Sequence, residues 1–287
     1  MPTNGVGSGL AGEHQVRLIR GVPVVFPESK KPFSPQLALM SQAISALSTG
    51  RCALLESPTG TGKTLALLCS VLSWQEHDFV TGGSLLRSTT AGAAAGEQKP
   101  KAKRRRVFFM SRTHSQLTQV VHEMKRFKAL GAAMTIIGSR QQYCVNSELE
   151  QSKSKSDDCK QLLSSSGCKF HSSHASMKHL MSPRVWDIED LVTTGRDRNK
   201  CPYFAARAMV PESDLVFGPY NYVIDPVIRG DMDIKLKNAV LVFDEGHNIL
   251  ETAMDALSAN VPLQALKDVV AEVRGLAACA LIITHGY

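Results

Sequence analysis

The feature that most constrains the fold is the stretch ESPTGTGKT at positions 56–64. It follows the short apolar run Ala53–Leu55 and precedes an apolar segment from Thr64 to Trp74. A glycine-rich loop between a strand and a helix is suited to phosphate, because glycines let backbone N–H groups approach phosphate oxygens and the helix N-terminus adds positive potential. The stretch predicts a short buried strand, a nucleoside triphosphate site and a helix.

The loop departs at one position from the usual pattern G-x-x-x-x-G-K-S/T, because Ser57 stands where the first glycine would be. We expect Lys63 to reach the β- and γ-phosphates and Thr64 to place its hydroxyl on Mg²⁺. The alternative is a glycine-rich turn that happens to carry a lysine. The complete set of predicted loop residues is Ser57, Pro58, Thr59, Gly60, Thr61, Gly62, Lys63 and Thr64.

An acidic partner for the loop is found in VLVFDEGHN at 240–248. Four apolar residues put Asp244 and Glu245 just past the end of a predicted strand, which is where open α/β sheets bind ligands. We expect Asp244 to hold Mg²⁺ and Glu245 to orient the attacking water. Alone, such a pair is often just a strand that ends in a helix cap, and the loop at 56–64 makes the functional interpretation the stronger one.

Between these motifs the pattern alternates short apolar strands with helices, which is typical of a parallel sheet covered on both faces. The predicted fold class is therefore α/β, with a RecA-like P-loop motor domain and an inserted subdomain. Strands are expected at 53–55, 107–110, 134–137, 214–217 and 239–243, and helices at 64–74, 114–128 and 248–257.

Composition adds weaker constraints. The formal net charge of +7 favours polyanionic partners only mildly. The basic run KPKAKRRR, inside a low-complexity segment at 80–105, is typical of a nuclear-import signal or a nucleic-acid patch, or of a solvated loop. The chain shows no secretory signal and no apolar run long enough to span a membrane.

The inserted segment contains Cys144, Cys159, Cys168 and Cys201, spaced C-x14-C-x8-C-x32-C. Four thiolates can bind Zn²⁺ or a 4Fe–4S cluster, and the lack of a C-x-x-C weakens the zinc-ribbon interpretation. A mixed zinc site stays open, because His171, His174 and His179 follow closely. The other thiols, Cys52, Cys69 and Cys279, lie in apolar contexts and are predicted to be buried.

These motifs together resemble those of a known family. The sequence DEGH at 244–247 is similar to the D-E-A-H box of superfamily 2 helicases, with Gly246 in place of alanine. Further segments resemble the XPD-type iron–sulfur DNA helicases, and within them most closely the Fanconi anaemia group J branch. They are GVPVVFP (21–27), PQLALM (35–40), LLESPTGTGKTLALLCSVLSWQ (54–75), SRTHSQL (111–117), WDIEDLVTTG (186–195), CPYFAAR (201–207), VFGPYNYVIDPVIR (216–229) and LKNAVLVFDEGHNI (236–249).

The resemblance implies roles for further residues. Gln36 is expected to read the adenine edge, Arg112 and Thr113 to contact the DNA backbone, and His247 to link the ATP site to DNA-driven closure. It also implies that the four cysteines of the insertion hold a 4Fe–4S cluster. The implied activity is that of an ATP- and Mg²⁺-dependent 5′-to-3′ DNA helicase in the nucleus, acting in interstrand crosslink repair and replication-fork maintenance. Its expected partners are single-stranded and forked DNA and DNA-repair proteins. No association with a membrane is expected.

The expected domain organisation places a flexible N-terminus at 1–20 and motor domain 1 at 21–138 and 206–257, interrupted by the iron–sulfur insertion at 139–205. Residues 258–287 are interpreted as the truncated start of an arch insertion. Because the family needs a second motor domain, we expect the isolated chain to bind ATP and DNA with negligible turnover. The alternatives are a non-hydrolysing DNA- or partner-binding short product and a zinc-containing P-loop protein.

Overall fold

A parallel sheet lies at the centre of the computed structural model, which describes residues 14–27, 31–58, 60–82, 104–126, 132–172, 174–181, 185–259 and 261–283. Within those residues the sheet has the strand order β4-β5-β3-β6, and every neighbouring pair is parallel. The strands are β1 (His14–Ile19), β2 (Val22–Pro27), β3 (Val107–Ser111), β4 (Met134–Ile136), β5 (Leu215–Pro219) and β6 (Val240–Phe243).

Helices surround this sheet. The α-helices are α1 (Ser34–Thr49), α2 (Lys63–Val80), α3 (His114–Arg126), α4 (Arg140–Tyr143), α5 (Lys155–Ser164), α6 (Lys178–Met181), α7 (Ile188–Arg198), α8 (Pro202–Met209), α9 (Asn221–Ile224), α10 (Pro226–Asp231), α11 (Ile249–Leu257) and α12 (Leu263–Ile283). The α/β, RecA-like fold class is confirmed, and the predicted strands that follow the phosphate loop lie within a residue or two of those observed. Among the described helices, none is sufficiently long and apolar to cross a bilayer.

The sheet is stable because its central strands are apolar on both faces. All residues of β3 are buried, and Phe109 pairs in register with Phe217 of β5 on one side and Val242 of β6 on the other. The rings of Phe109 and Phe217 meet edge to face at 5.7 Å between centroids. Continuous burial of this kind is expected for parallel strands covered by helices on both faces.

Helix α2 passes between two hydrophobic clusters. Its residues Leu68 and Leu72 pack in the cluster built around the sheet, while Leu65 and Trp74 pack in a second cluster with β2 and α1. A helix that is apolar around its circumference must be buried, and this one begins at the phosphate loop.

The N-terminal segment differs from the expectation of flexibility for residues 1–20. Residues 1–13 lie outside the described part, but β1 and β2 form an antiparallel hairpin. Its turn has positive φ at both Arg20 (48°) and Gly21 (82°), the geometry that matches the twist of a two-residue hairpin. Val24 and Phe26 are buried against the second cluster, and burial of that face stabilises the hairpin.

The predicted buried strand at 53–55 is wrong. Residues 51–58 are not in a strand, and Leu54 is 97% exposed. A strand forms only where neighbouring backbone pairs with it, and no described strand pairs with this segment. Cys52 is exposed as well, so the prediction that its thiol is buried is wrong. By contrast Cys69 is buried as expected, and burial raises the pKa of its thiol to about 12; the side chain of Cys279 lies outside the described part.

Most of the basic run also lies outside the described residues, in the gap at 83–103. Its last three arginines do not form a free cationic patch. Arg106 donates to the carbonyl oxygens of Pro211 and Ser213 at 2.8 and 3.3 Å. Arg104 pairs with Glu76 at 2.5 Å and with Asp214 at 3.4 Å, and Arg105 pairs with Asp78 at 2.9 Å. The described end of the run therefore attaches the chain entering β3 to the end of α2.

Candidate functional site

The phosphate loop has the backbone that its glycines predict. Gly60 has a φ of 77° and Gly62 a φ of 69°, and Gly62 is the N-cap of α2. Positive φ is strained for residues with a Cβ, so both glycines are required by conformation. The exposed N–H groups at the start of α2 are therefore available to phosphate oxygens.

Side chains close the loop on itself. The hydroxyl oxygens of Ser57 and Thr61 lie 2.8 Å apart, and the Thr61 hydroxyl also donates to the carbonyl oxygen of Pro58 at 2.8 Å. The ammonium group of Lys63 donates to the carbonyl oxygen of Ser57 at 3.1 Å. Ser57, at the position of the usual first glycine, therefore stabilises the closed loop through its hydroxyl and its carbonyl oxygen. Thr59, which was also predicted to bind nucleotide, lies outside the described residues.

The acidic partner reaches this loop. The backbone N–H of Asp244 donates to the carbonyl oxygen of Met110 at 2.9 Å. This hydrogen bond extends the pairing of β6 with β3 by one residue. The Thr64 hydroxyl donates to Oδ2 of Asp244 at 3.2 Å. A hydroxyl and a carboxylate oxygen at the phosphate end of a helix are the hard oxygen ligands that Mg²⁺ prefers, so the donor set fits that ion.

Asp244 is only 9% exposed. Burial raises the pKa of its carboxyl above the ordinary value, with a contribution from the charge of Glu245, against the lowering effect of the Thr64 hydrogen bond and of Lys63. The proton therefore competes with a metal ion at higher pH than it would for an exposed aspartate.

We expect the Mg²⁺-dependent part of ATP affinity to fall as the pH is lowered below neutral, and to do so at higher pH than for an exposed aspartate, because protonation of Asp244 removes a metal ligand. Titration of a fluorescent ATP analogue with and without Mg²⁺ at each pH measures this part. Asp244→Asn is the control for protonation of ATP itself, and we expect little Mg²⁺ dependence in it at any pH. A wild-type profile parallel to that of the variant would contradict the role of Asp244.

Glu245 has an unusual backbone. Its φ is 55° and its ψ 46°, a left-handed conformation that is uncommon for a residue with a Cβ. The Tyr220 hydroxyl donates to the carbonyl oxygens of both Asp244 and Glu245, the latter at 3.0 Å. Asn248 also donates to Glu245 through its backbone and side chain, at 3.1 and 3.2 Å. Such strain is typical of functional positions that are held by their surroundings.

Gly246, the departure from D-E-A-H, does not disturb this turn. A Cβ at Gly246 would meet only Cδ1 of Ile249, at the ordinary contact distance of 3.6 Å, and its φ is not positive. An alanine fits here, as the resemblance implies.

We therefore expect Gly246→Ala to keep ATP affinity and to raise the free energy of unfolding by about 0.4–1 kcal/mol, because alanine restricts the unfolded chain more than glycine does. Urea unfolding measures the change. Gly60→Ala is the contrasting variant, since its positive φ predicts destabilisation instead. A loss of stability in Gly246→Ala would mean that the turn needs glycine.

Gln36 lies against the loop. Its side-chain oxygen accepts from the backbone N–H of Phe33 at 2.9 Å, and its amide nitrogen donates to the carbonyl oxygen of Gly62 at 3.4 Å. A Cβ at Gly62 would lie 2.5 Å from that nitrogen. The contact joins the residue expected to read adenine to the loop expected to bind phosphates.

Gly62→Ala should weaken ATP binding by roughly tenfold, because the new methyl group strains a positive φ and displaces the Gln36 amide. A fluorescent ATP analogue measures the affinity. Gly82→Ala is the matched control, since Gly82 also has positive φ but open space around it and lies away from the loop. Equal affinities for both variants would show that the Gln36 contact is unimportant.

The remaining predicted residues form a surface beside the acidic turn. Nδ1 of His247 lies 3.5 Å from Oε2 of Glu245, and the imidazole is 72% exposed. The guanidinium of Arg112 donates to Oδ1 of Asn248 at 3.2 Å and to Oε2 of Glu251 at 3.0 Å. Arg112 is thus connected to Glu245 through Asn248. Thr113 begins the turn before α3, where its hydroxyl accepts from the N–H of Gln116 at 3.4 Å.

Two residues of this site were missed or undervalued by sequence reasoning. Tyr220 was assigned no role within the segment VFGPYNYVIDPVIR, although its hydroxyl holds the acidic turn. Asn248 received no role, although it bridges Arg112 and Glu245. The only sequence signal for Asn248 is its position directly after the DEGH motif.

The four cysteines of the inserted segment line one small apolar cavity. They are Cys144, Cys159, Cys168 and Cys201, and the cavity is also lined by Leu149, Phe170 and Phe204. Burial raises the pKa of the Cys144 and Cys201 thiols, the latter to about 11, and each is raised further by neighbouring cysteines. Four thiols around one apolar space fit the donor set of a 4Fe–4S cluster.

Histidine does not complete a single-ion site in this region. The rings of His171 and His174 lie 5.1 Å apart and contact Phe204, and His171 alone of them lines the cysteine cavity. In the part of the chain that the structure describes, no group of three or more Cys, His, Asp or Glu side chains is arranged to hold one metal ion. The geometry of the described residues therefore supports no mixed Cys/His zinc site, and the 4Fe–4S cluster stays a prediction.

Both the phosphate loop and the acidic turn lie in segments that match known protein families. Residues 109–266 match the DEAD_2 family and residues 38–171 the DEAD/DEAH box helicase family. The regulator of telomere elongation helicase 1 homologs of Drosophila erecta and Drosophila melanogaster are each 40% identical over 272 residues, which is 85% of this chain and 27% of theirs. A solved XPD helicase structure aligns with 20% identity and a TM-score of 0.48, over 77% of this chain and 34% of that one.

The chain therefore spans about a quarter of the length of the curated relatives it matches. The DEAD_2 match extends over more than half of the chain and includes the DEGH box and all four cysteines of the insertion. The overlapping DEAD/DEAH box match adds the phosphate loop and reaches back to α1. With the loop and the acidic turn in contact through Thr64 and Asp244, the chain belongs to the DEAD_2 family of DEAD/DEAH-box-type helicases.

Proposed function

We propose that this chain is the ATP-binding N-terminal part of an ATP- and Mg²⁺-dependent DNA helicase that moves 5′ to 3′. The observation that carries the proposal is the 3.2 Å hydrogen bond between Thr64 of the phosphate loop and Asp244 of the acidic turn. It brings together residues 180 positions apart in an arrangement suited to a Mg²⁺-bound triphosphate. Gln36 beside Gly62 adds a group suited to the adenine end.

Within this site we assign roles residue by residue. Lys63 neutralises charge on the β- and γ-phosphates, Thr64 and Asp244 hold Mg²⁺, and Glu245 orients the attacking water. His247, within 3.5 Å of the Glu245 carboxylate, couples that water-orienting group to the DNA side of the domain. Arg112 and Thr113 contact the DNA backbone, for which the half-exposed guanidinium of Arg112 is suited.

We further propose that Cys144, Cys159, Cys168 and Cys201 hold a 4Fe–4S cluster. The support is that all four thiols line one apolar cavity within a segment of short helices. When bound, the cluster would cross-link parts of this segment that lie far apart in sequence, from Cys144 after α4 to Cys201 before α8. We assign it no step in ATP hydrolysis. Residues 139–205 are accordingly proposed as the inserted subdomain, with motor domain 1 on either side and the arch beginning at about residue 258.

For the biological role we propose a nuclear DNA-repair helicase that acts on single-stranded and forked DNA with other repair proteins, in crosslink repair and fork maintenance. The curated relatives carry the name of a telomere elongation regulator, which favours chromosomal DNA as the substrate. The finer resemblance to the Fanconi anaemia group J branch stays a prediction, because these curated relatives carry a different name.

The test is binding and turnover by the 287-residue chain. We expect Mg²⁺-dependent binding of a fluorescent ATP analogue and binding of single-stranded DNA, with negligible hydrolysis and no unwinding by this chain alone. Failure to bind the analogue in the presence of Mg²⁺ would overturn the ATP site. DNA-stimulated hydrolysis at the rate of a complete helicase would overturn the proposed inactivity of the isolated chain.

A second candidate is a module that binds DNA or a partner without turning over ATP. It is favoured by the exposed apolar residues Leu250, Met254 and Leu257, which recur along one side of α11. Lys63→Ala in cells separates the two candidates, since loss of function supports a motor and an unchanged phenotype supports a binding module.

A further inference from the structure

A second cavity, separate from the phosphate loop, opens at the carboxyl ends of β3 and β5. Its volume is about 320 Å³, at the small end of the range of about 300–1,000 Å³ for ligand pockets. Its wall includes Arg112, His114, Ser139, Asn221, Tyr222 and Thr252. The space therefore suits one small ring system rather than an extended ligand.

Two buried polar atoms beside this cavity lack a partner. Oδ1 of Asn221 and Nδ1 of His114 are buried and make no hydrogen bond with the described residues. A buried acceptor without a donor is unfavourable, and a ligand that supplies the donor recovers that free energy. Oδ1 of Asn221 requires an N–H or O–H group, which an ionised phosphate does not carry.

His114 has no charge to attract an anion. Burial lowers the pKa of its imidazole to about 4, so the ring is neutral at neutral pH and offers one donor and one acceptor. Tyr222, which is 7% exposed, adds an aromatic ring to the wall. Neutral hydrogen-bonding groups beside an aromatic ring are the surroundings typical of a nucleobase bound outside a duplex.

The wall also carries one cation. The guanidinium of Arg112 is 49% exposed, and its hydrogen bonds go to Asn248 and Glu251 on the side of the acidic turn. A charged group at the edge of a neutral cavity suits a phosphate whose attached base lies inside. The cavity and Arg112 together match one nucleotide unit of a single strand.

We propose that this cavity binds one unstacked base of single-stranded DNA, whose ring N–H donates to Oδ1 of Asn221 once the side-chain amide turns toward the cavity, while the adjoining phosphate contacts Arg112. The inference rests on the proposed function, and adds to it a site that contacts the base instead of the DNA backbone. Thymine and guanine carry a ring N–H, so these bases satisfy Asn221 directly. Arg112 also contacts Asn248, which holds Glu245, so the base site lies next to the acidic turn.

The experiment compares two labelled oligonucleotides of about twelve residues, one of thymidine and one of N3-methylthymidine. The methyl group removes the ring N–H and keeps the aromatic ring. Fluorescence anisotropy gives the affinity of the 287-residue chain, of Asn221→Ala, and of Gln264→Ala, an amide-to-alanine control in the exposed part of α12. Circular dichroism confirms that each variant is folded.

We expect wild type and Gln264→Ala to bind the thymidine oligomer about tenfold more tightly than the methylated one, and Asn221→Ala to bind both equally. Equal affinities of the wild type for the two oligomers would overturn the base site while leaving DNA binding intact. A tenfold preference that persists in Asn221→Ala would overturn the role of Asn221. Failure of the wild type to bind either oligomer would overturn both this inference and the proposed function.

Discussion

Lys63→Ala should reduce affinity for ATP·Mg²⁺ by about 100-fold, because the side chain supplies the positive charge aimed into the phosphate loop. In the structure the Lys63 ammonium group already lies within the loop, where it donates to the carbonyl oxygen of Ser57 at 3.1 Å. Removing the charge leaves the phosphates with the backbone N–H groups of the loop and the Mg²⁺ held by Thr64 and Asp244. Isothermal titration with ATP and Mg²⁺ measures the loss directly.

The variant should stay folded, because Lys63 makes only this local hydrogen bond among the contacts described. Urea unfolding of Lys63→Ala and wild type tests that point. Lys235→Ala is the matched control, since Lys235 is 78% exposed and, among the described residues, forms its ion pair with Asp233. ATP affinity in Lys63→Ala close to that of Lys235→Ala would refute the assignment of the loop as a nucleotide site.

The second large effect is expected at the cysteine cavity. Replacing Cys201 with serine should abolish iron binding, since the cluster needs all four thiolates and Cys201 lies at the start of α8 facing the other three. Anaerobically prepared wild type should contain about four iron and four sulfide per chain, and the variant close to none. The loss should also lower the urea midpoint, because the bound cluster would cross-link separate parts of the insertion.

Cys52→Ser is the control for this experiment, because Cys52 is exposed and lies outside the cavity. It should keep the iron and sulfide content of wild type. About one zinc per chain in place of iron would instead support the zinc-containing alternative. A wild-type protein that binds neither metal under anaerobic preparation would remove the cofactor from the proposal altogether.

Much of this architecture follows from the sequence, because its strongest signals are local. Val107–Ser111 and Leu215–Pro219 begin with apolar runs typical of buried strands, and the glycines at 60 and 62 permit the positive φ that the loop adopts. The acidic pair at the end of β6 follows from the same pattern. In each case the chemistry of a few neighbouring residues decides the local structure.

The errors arise where structure depends on distant residues. Residues 53–55 are as apolar as a strand, but a strand also needs a partner, and the local sequence does not specify one. The hairpin at 14–27 was missed because its stability comes from burial against α1 and α2, far along the chain. Tyr220 resembles any buried tyrosine until its hydroxyl is seen on the carbonyl oxygens of the acidic turn.

Helix α2 gives the phosphate loop a mechanical role as well as a chemical one. Its N-terminus holds the loop, and its body forms a wall shared by the two hydrophobic clusters. A nucleotide that anchors this helix would raise the resistance of both clusters to local opening at once. Slower amide hydrogen exchange should then appear in β2 and α1 as well as in the sheet, so that the N-terminal hairpin reports nucleotide occupancy from a distance.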